Sequence, residues 1–354
     1  MMDRLNWGVI GTGGIAADFT EALGESNRCR VVNVVGSSPA KGLAFAQRWE
    51  LPSWSETLAQ LLADPAVDAV YVATPHPLHE APALACIDAR KPVLCEKPLT
   101  MNEASSRKLV EAARANQVFL MEAYMYRCHP LMARLLSTLR EGVIGAVRAV
   151  RADFGFRAPR NPRSRLFDLA LGGGGVLDVG GYPVSFARLI AGLAEGKPFA
   201  EPTQIQSAGV LGPTGADEIA SVLLRFASGL TANLTCGVFH AVGTTAVLFG
   251  EEGKIVLSNP WIPEGNRRSR QTGFVIHRDG REPQAVSVKT DRSSYCIEAE
   301  VVADSLPGLE PRWPAMTWED TLGNMRVLDT WLVGIRGGAG MATVIPSDAD
   351  TFRQ

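Results

Sequence analysis

The chain has 354 residues, 46% hydrophobic and 20% charged, with a formal net charge of −2 at neutral pH. That is length for two domains and apolar content for a sizeable core. The balanced charge argues against nucleic acid or an anionic membrane surface as partner, and no apolar run reaches the ~18 residues of a membrane span. Six cysteines are scattered without a C-x-x-C pair, which speaks for reduced thiols in a cytoplasmic protein and against a disulfide framework or a zinc site. No signal-peptide apolar segment precedes the first expected strand.

That strand is Trp7–Ile10, and it runs into Gly11-Thr12-Gly13-Gly14-Ile15-Ala16 and then a helix to Leu23. Gly11 permits a tight turn, Gly13 lets a pyrophosphate approach the backbone, and Ala16 lets the helix pack closely on the strand. The free N–H groups at the helix start favour a phosphate. With βαβ patterning following at once, the turn predicts a dinucleotide site. Cys29–Val35 is the second strand. A NAD-binding chain usually carries an acid at its end; here the strand ends Gly36-Ser37-Ser38, no acid lies between Arg28 and Arg48, and Lys41 follows. Hydroxyls and an ammonium attract a 2′-phosphate, which favours NADP, with NAD possible.

Helices are expected over Pro39–Trp49 and Ser55–Leu62, then a buried strand over Val67–Ala73. The strand ends in Thr74-Pro75-His76-Pro77-Leu78-His79, and a helix follows to Ala89. Ligands sit beyond the carboxyl ends of such strands, so Thr74 and Pro75 are expected at the cofactor. His79 is either a functional group there or a histidine that satisfies neighbouring backbone. Pro92–Glu96 is the next strand and leads into Lys97-Pro98, where an X-Pro bond can be cis. At a strand end, the Lys97 ammonium is placed to polarise a substrate oxygen and donate to a developing alkoxide; a solvated lysine is the plainer alternative. Asn102–Asn116 reads as a helix and Val118–Glu122 as a further strand.

The glycine turn, the Ala73-Thr74-Pro75 to His79 loop and Cys95-Glu96-Lys97-Pro98-Leu99 together resemble the glucose–fructose oxidoreductase/inositol dehydrogenase (Gfo/Idh/MocA) family. The resemblance spans nearly the whole chain. Met121-Glu122-Ala123, Arg127 and Asp178-Val179-Gly180-Gly181-Tyr182 are similar to its dihydrodiol and D-xylose dehydrogenase branch. It implies that Lys97 is catalytic, that Tyr182 is the proton donor or acceptor, and that Asp178 orients it or the substrate. Arg127 and Phe154 match substrate-pocket positions of that branch, and Met125 stands where dihydrodiol dehydrogenase has an aromatic residue. On spacing alone, Asp178 and Tyr182 share one helix face, and Tyr182 reads equally as a packed core tyrosine beside Phe186 and Leu189.

After a linking helix, His129–Glu141, the period changes to two. Val147–Phe156 alternates, as do Thr203–Leu211, Ala220–Phe226, Leu230–Cys236, Thr245–Phe249, Lys254–Leu257 and Phe274–His277. This predicts a large, mostly antiparallel sheet with one open face. Arg157, Arg160, Arg163 and Arg165 punctuate the loop after its first strand, as an anion site or as solvated charge. Gly172–Gly175 precede a helix over Val176–Ala191; with no strand feeding them they are a poor phosphate loop, and close packing on substrate or cofactor is expected. A last helix over Thr317–Ile335 carries Trp318, Leu322, Met325, Val327, Leu328 and Leu332 at core spacing, ended by Gly337–Gly340.

The expected fold is α/β: a Rossmann doubly wound parallel sheet over residues 1–125, and an α+β domain with a mostly antiparallel open sheet over 126–354, its last helix packing back on the first. The cofactor residues are Gly11, Thr12, Gly13, Gly14, Ile15, Ala16, Ser37, Ser38, Lys41, Thr74, Pro75, His79, Glu96 and Lys97. Arg127, Phe154, Asp178 and Tyr182 take the substrate in a cleft between the domains. The expected function is NADP-dependent hydride transfer at a carbinol carbon of an aldose or cyclic polyol, without metal, nucleic acid or membrane. Alternatives are a trans-dihydrodiol dehydrogenase, an enzyme that keeps its cofactor bound, and a non-catalytic NADP sensor. The family resemblance implies a homodimer or homotetramer through the open sheet.

Overall fold

The computed structural model describes residues 4–263, 271–337 and 343–344. In chain order the elements are β1 Leu5–Ile10, α1 Gly14–Leu23, β2 Cys29–Val35, α2 Pro39–Arg48, α3 Leu58–Ala63, β3 Ala69–Val72, α4 Glu80–Asp88, β4 Val93–Glu96, α5 Glu103–Asn116, β5 Leu120–Ala123, α6 Met125–Cys128 and α7 Pro130–Arg140. There follow β6 Val147–Gly155, a π turn over Val176–Gly180, α8 Gly181–Ala194, β7 Pro202–Leu211, β8 Asp217–Phe226, β9 Thr231–Gly237, β10 Ala246–Gly250, β11 Gly253–Leu257, β12 Gln271–Arg278, β13 Gln284–Lys289, α9 Ser294–Ser305, α10 Trp318–Arg336 and β14 Thr343–Val344. Residues through Met132 form one compact unit with Lys289–Leu322; Ala133–Pro263, Thr272–Val288 and the chain from Gly323 form a second.

The first unit is built on a five-stranded parallel sheet of order β2-β1-β3-β4-β5. Its strands are almost wholly buried, as valine-rich strands covered on both faces must be. On one face Trp7, Phe19 and Tyr71 pack together, Phe19 stacked on Tyr71 with centroids 4.0 Å apart. On the other, Val70, Val72, Val93 and Leu120 meet Leu109, Trp318 and Leu322. Each such buried side chain contributes ~1.5–3 kcal/mol of transfer free energy. Trp318 Nε1 also donates to the Leu120 carbonyl at 3.0 Å, which ties the first turn of α10 to β5. Local signals set the helix starts: Ser38 caps α2, Thr57 and Gln60 form a reciprocal capping box on α3, and Asn102 accepts from the Ser105 N–H at 2.9 Å to start α5.

The second unit carries a sheet of nine strands among the described residues, in the order β13-β12-β11-β10-β6-β9-β8-β7-β14. Pairing is antiparallel from β12 through β11 and β10 to β6 and from β9 through β8 and β7 to β14, while the β6–β9 pair is parallel. Ala220, Val222, Leu224 and Phe226 of β8 point to the buried side, while Leu223 and Arg225 are exposed. The helical run Leu169–Ala194 is apolar enough by length and composition to cross a membrane, but 94% of its apolar window is buried in the protein, as befits a core helix. Residues 181 to 192 of α8 are all buried.

Four elements have no counterpart among those expected from the sequence, the first being the single-turn helix α6. α9 buries Ser294, Glu298, Glu300 and Ser305, so no apolar stripe marks it. β13 is solvated along its length and shows no clean alternation, and β14 has two residues. Gly337 follows α10 as expected, while Gly338–Gly340 lie outside the described residues.

Candidate functional site

In the first unit, β1, β2 and β3 end side by side on a groove of about 910 Å³ lined by Ile10–Gly13, Val35–Ser37, Ala73–Pro75 and one face of α2. Gly11 has φ +113°, and a Cβ there would lie 2.5 Å from the Ala73 carbonyl oxygen. The turn therefore admits only glycine at that position. Gly13 and Gly14 differ: a Cβ on either would meet no atom within 4 Å. The protein itself gives no packing reason for glycine there; the bare backbone leaves room for a ligand. α1 starts at this point with no side-chain cap and no acid in its first turn, so its N–H groups and positive dipole end are available to an anion. Together these features fit a dinucleotide pyrophosphate.

Ser37 and Lys41 both line the groove, Lys41 Nζ donating to Ser37 Oγ at 3.1 Å. Lys41, Ala44, Phe45 and Arg48 line it at i, i+3, i+4 and i+7 of α2. Sequence reasoning missed Arg48, which this helical spacing from Lys41 points to, and Glu56, which also lines the groove. Ser38 is a correction: its hydroxyl is the N-cap of α2, accepting from the Lys41 N–H, and it does not line the groove. Thr12, Thr74 and Pro75 line the groove as expected, and Thr74 Oγ1 donates to the Leu78 carbonyl at 2.7 Å. Ile15 and Ala16 do not; they pack α1 onto the core.

His79 is a second correction. It is fully buried, with Nδ1 2.9 Å from the Pro98 carbonyl and Nε2 2.8 Å from the Thr74 carbonyl. Both ring nitrogens lie against carbonyls of the two strand-end loops, the neutral ring donating to one of them, and His79 does not line the groove. Burial pushes its pKa down, with Lys97 adding to the fall and the carbonyl contacts opposing it.

Lys97 stands half-buried at the end of β4, the strand next to β3, and the Lys97–Pro98 peptide is cis. Glu96 before it is buried and accepts the Tyr71 hydroxyl; burial holds that phenol well above its ordinary range. Glu298 of α9, which the sequence reading passed over, is fully buried, and neither carboxyl oxygen has a hydrogen-bond partner among the described residues. Burial, helped by the charge of Glu96, raises its pKa well above the carboxylate range. Arg127 is a third correction. It is fully buried, paired with Asp320 at 2.8 Å and donating to the Pro314 carbonyl at 2.6 Å. That guanidinium is engaged by protein partners and is not presented to a substrate.

The second unit assembles its own cluster. Tyr182 opens α8 and is buried between aromatic rings: Phe154 lies edge-on at 5.1 Å and Trp261 at 6.3 Å between centroids. Trp261 is held in turn by Nε1 donating to the Asp153 carbonyl at 2.8 Å. It went unremarked in the sequence because 79 residues separate it from Tyr182 and no local pattern marks it. Asp178 sits in the π turn that precedes α8, buried, and accepts from Arg165 Nη1 at 2.7 Å. The helix expected over both residues is continuous, but its first turn is a π turn and it is regular only from Gly181 on. Of the arginine run, Arg165 reaches Asp178 and Arg160 pairs with Glu218.

Of the four glycines before Asp178, Gly173, Gly174 and Gly175 lie close against the protein's own backbone and Asp217. Gly174 has φ +122°, and a Cβ there would lie 2.1 Å from Asp217 Oδ1. The buried Asp217 carboxylate accepts from the Val176 N–H at 2.8 Å and occupies the helix start. Burial raises its pKa to about 7, against the pull of neighbouring N–H groups and Arg336. No described group of three or more His, Cys, Asp or Glu side chains is arranged to hold a metal ion.

Comparison with known proteins bears on both units. Residues 5–124 match the oxidoreductase family described as an NAD-binding Rossmann fold, and residues 132–256 match the GFO/IDH/MocA C-terminal domain. Trans-1,2-dihydrobenzene-1,2-diol dehydrogenase of Mus musculus is 37% identical over 261 residues, 73% of this chain and 76% of the relative. The enzyme of that name from Sus scrofa is 32% identical over 311 residues, 85% of this chain and 88% of the relative. A 3-ketoreductase from Actinomadura kijaniata, crystallised with NADP and TDP-benzene, superposes with a TM-score of 0.81 at 26% identity, covering 95% of this chain and 98% of its own. An aldose-aldose oxidoreductase from Caulobacter crescentus, complexed with glycerol, shares the fold with a TM-score of 0.84 at 23% identity over 97% of this chain and 100% of its own.

Proposed function

Because the chain belongs to the Gfo/Idh/MocA family of oxidoreductases, we propose that it transfers a hydride between NADP and the carbinol carbon of an aldose or related cyclic polyol. The observation that carries this is the start of α1, uncapped and with no protein atom where a Cβ on Gly13 or Gly14 would lie, opening on the groove that Lys41 and Ser37 also line. When bound, the dinucleotide supplies the hydride exchange at its nicotinamide. The chain supplies binding, orientation and proton handling. Gly11–Gly14 and the α1 N–H groups hold the pyrophosphate. Ser37 and Lys41, with no acid at the end of β2, take the 2′-phosphate. Thr12, Thr74 and Pro75 wall the groove, and Glu96 stands at the nicotinamide end.

Lys97 donates to the substrate oxygen and stabilises it as charge develops. Tyr182 exchanges the hydroxyl proton, held in orientation by Phe154 and Trp261. Asp178, fixed by Arg165, orients the substrate hydroxyls. A second substrate, a trans-dihydrodiol, is favoured by the names of the relatives at 32–37% identity. The exposed Leu223 and Phe249 on the open face of the large sheet support a homo-oligomer through that face, and six unpaired thiols support a cytoplasmic location.

The test is nicotinamide absorbance with a panel of aldoses, inositols and trans-dihydrodiols, each with NADP and with NAD. Turnover of an aldose or inositol with NADP is the expected outcome. On the substrate that reacts, Lys97→Ala and Tyr182→Phe are each expected to lower kcat by about 10²-fold or more. If both variants turn over like the parent, the assignment of these residues is wrong.

A further inference from the structure

Glu122 stands near the end of β5, in parallel register with Cys95 of β4. Its side chain is almost wholly buried. Oε1 accepts the N–H of Leu99 at 2.8 Å, and Oε2 has no hydrogen-bond partner among the described residues. Leu99 closes the turn that Lys97 begins. The carboxyl group is therefore bonded to the backbone two residues from the lysine assigned above to the substrate oxygen. On the far side of the same turn His79 contacts the Pro98 carbonyl, so the loop is held from both sides.

We propose that Glu122 is a positioning residue for Lys97, fixing the Lys97–Leu99 turn and, as a carboxylate, countering the ammonium charge, so that full turnover requires Glu122 ionised. This rests on the catalytic assignment of Lys97. A hydrogen-bond acceptor alone would satisfy the Leu99 N–H, and an amide would serve as well. What distinguishes a carboxyl group is its charge. Burial raises the Glu122 pKa to about 7; the Thr321 hydroxyl, the Leu99 N–H and Lys97 oppose that rise, and Asp320 adds to it. The charged and titratable groups facing it are Lys97 from the turn, Cys95 from β4 and Asp320 from α10, the last already paired with Arg127 of α6. Burial holds the Cys95 thiol neutral, so it does not compete for the charge. As the pH falls through this value Glu122 takes up a proton and the negative charge beside the lysine turn is lost. Turnover should therefore fall on the acid side.

The experiment is Glu122→Gln, with Lys97→Ala as reference, read as kcat and KM against pH, cofactor dissociation constant and melting temperature. Carboxyl-carbon NMR of the apoprotein adds a readout that needs no substrate. The expected result is a wild-type kcat that rises through about pH 7 and an E122Q kcat that lacks this rise and stays about tenfold below the wild-type plateau. Cofactor affinity and melting temperature should be unchanged, and of the two carboxyls titrating near 7 in the parent, Glu122 and Asp217, the Glu122 resonance should be missing in E122Q. Three outcomes overturn the proposal: E122Q keeps the wild-type profile, its kcat falls only together with cofactor affinity and melting temperature, or the Glu122 carboxyl titrates in the ordinary carboxylate range. If K97A is inactive while E122Q matches the parent at every pH, only the role of Glu122 fails. If K97A retains full turnover, the assignment of Lys97 fails with it.

Discussion

The two units of this chain build their sites from different materials. In the first, the groove is mostly backbone: the ends of three parallel strands, a turn that only glycine can make at position 11, and the open N-terminus of α1. In the second, the functional groups are side chains on and before α8, each held by a neighbour from elsewhere in the unit: Tyr182 by Phe154 and Trp261, Asp178 by Arg165. Glycines occur in both places and do opposite work. Around Gly13 they leave a space empty, whereas around Gly174 they let a protein carboxylate fill the helix start. A glycine run before a helix thus binds an external anion only where the protein has not already supplied one.

The contrast is sharpest in a matched pair of substitutions. Gly11→Ala places a Cβ against the Ala73 carbonyl in a left-handed backbone position. It should distort the cofactor turn and weaken NADP binding by well over tenfold, measured calorimetrically, since the conformational cost alone is ~1–2 kcal/mol. Gly174→Ala pushes the Asp217 carboxylate off the helix start. Strain plus the lost cap should lower unfolding free energy by ~2–3 kcal/mol, with NADP affinity of the folded protein unchanged. If G174A instead weakens cofactor binding as G11A does, the division of labour between the two glycine turns is wrong.

A smaller effect is expected from Lys41→Ala, which removes a groove-lining ammonium. NADP affinity should fall about tenfold and NAD affinity hold steady, the NADP deficit shrinking in high salt. Equal losses for both cofactors would remove Lys41 from the 2′-phosphate. The last effect is a pH slope. The Asp217 pKa is raised on folding from 3.8 to about 7, so the native state holds a proton that the unfolded chain has lost between those values. The stability this contributes is complete below pH 3.8 and is lost as the pH rises to about 7. Asp217→Asn keeps an acceptor for the Val176 N–H but cannot titrate. Its stability relative to the parent, followed by denaturant unfolding, should rise across that window; a flat difference would mean that Asp217 is already ionised throughout.

The first unit was legible almost element by element, because its strands, caps and turns are local signals. The strand Cys29–Val35 runs between the expected residues, and Asn102 caps the helix it was expected to start. The failures there were of one kind. Ser38 and His79 by position, and Arg127 by resemblance, were assigned to ligands, yet Ser38 caps α2 outside the groove lining, His79 lies between two loop carbonyls and Arg127 is the partner of Asp320. In the second unit the alternating strands were legible, and Tyr182 and Asp178 stood out by resemblance. Trp261, Arg165 as the partner of Asp178, and Asp217 at the helix start did not.

By itself the sequence determined the parallel sheet, the cofactor turn, the lysine at the end of β4 and the change to an antiparallel sheet, since each is written in residues close together in the chain. Only the tertiary structure decided which polar groups remain available to a ligand. The carboxyl of Glu122 under the Lys97 turn, the Glu298 carboxyl buried without a hydrogen-bond partner among the described residues and the occupied guanidinium of Arg127 depend on contacts between segments far apart in sequence. Burial and hydrogen bonding are set by the sum of such contacts, and no periodicity in the chain encodes that sum.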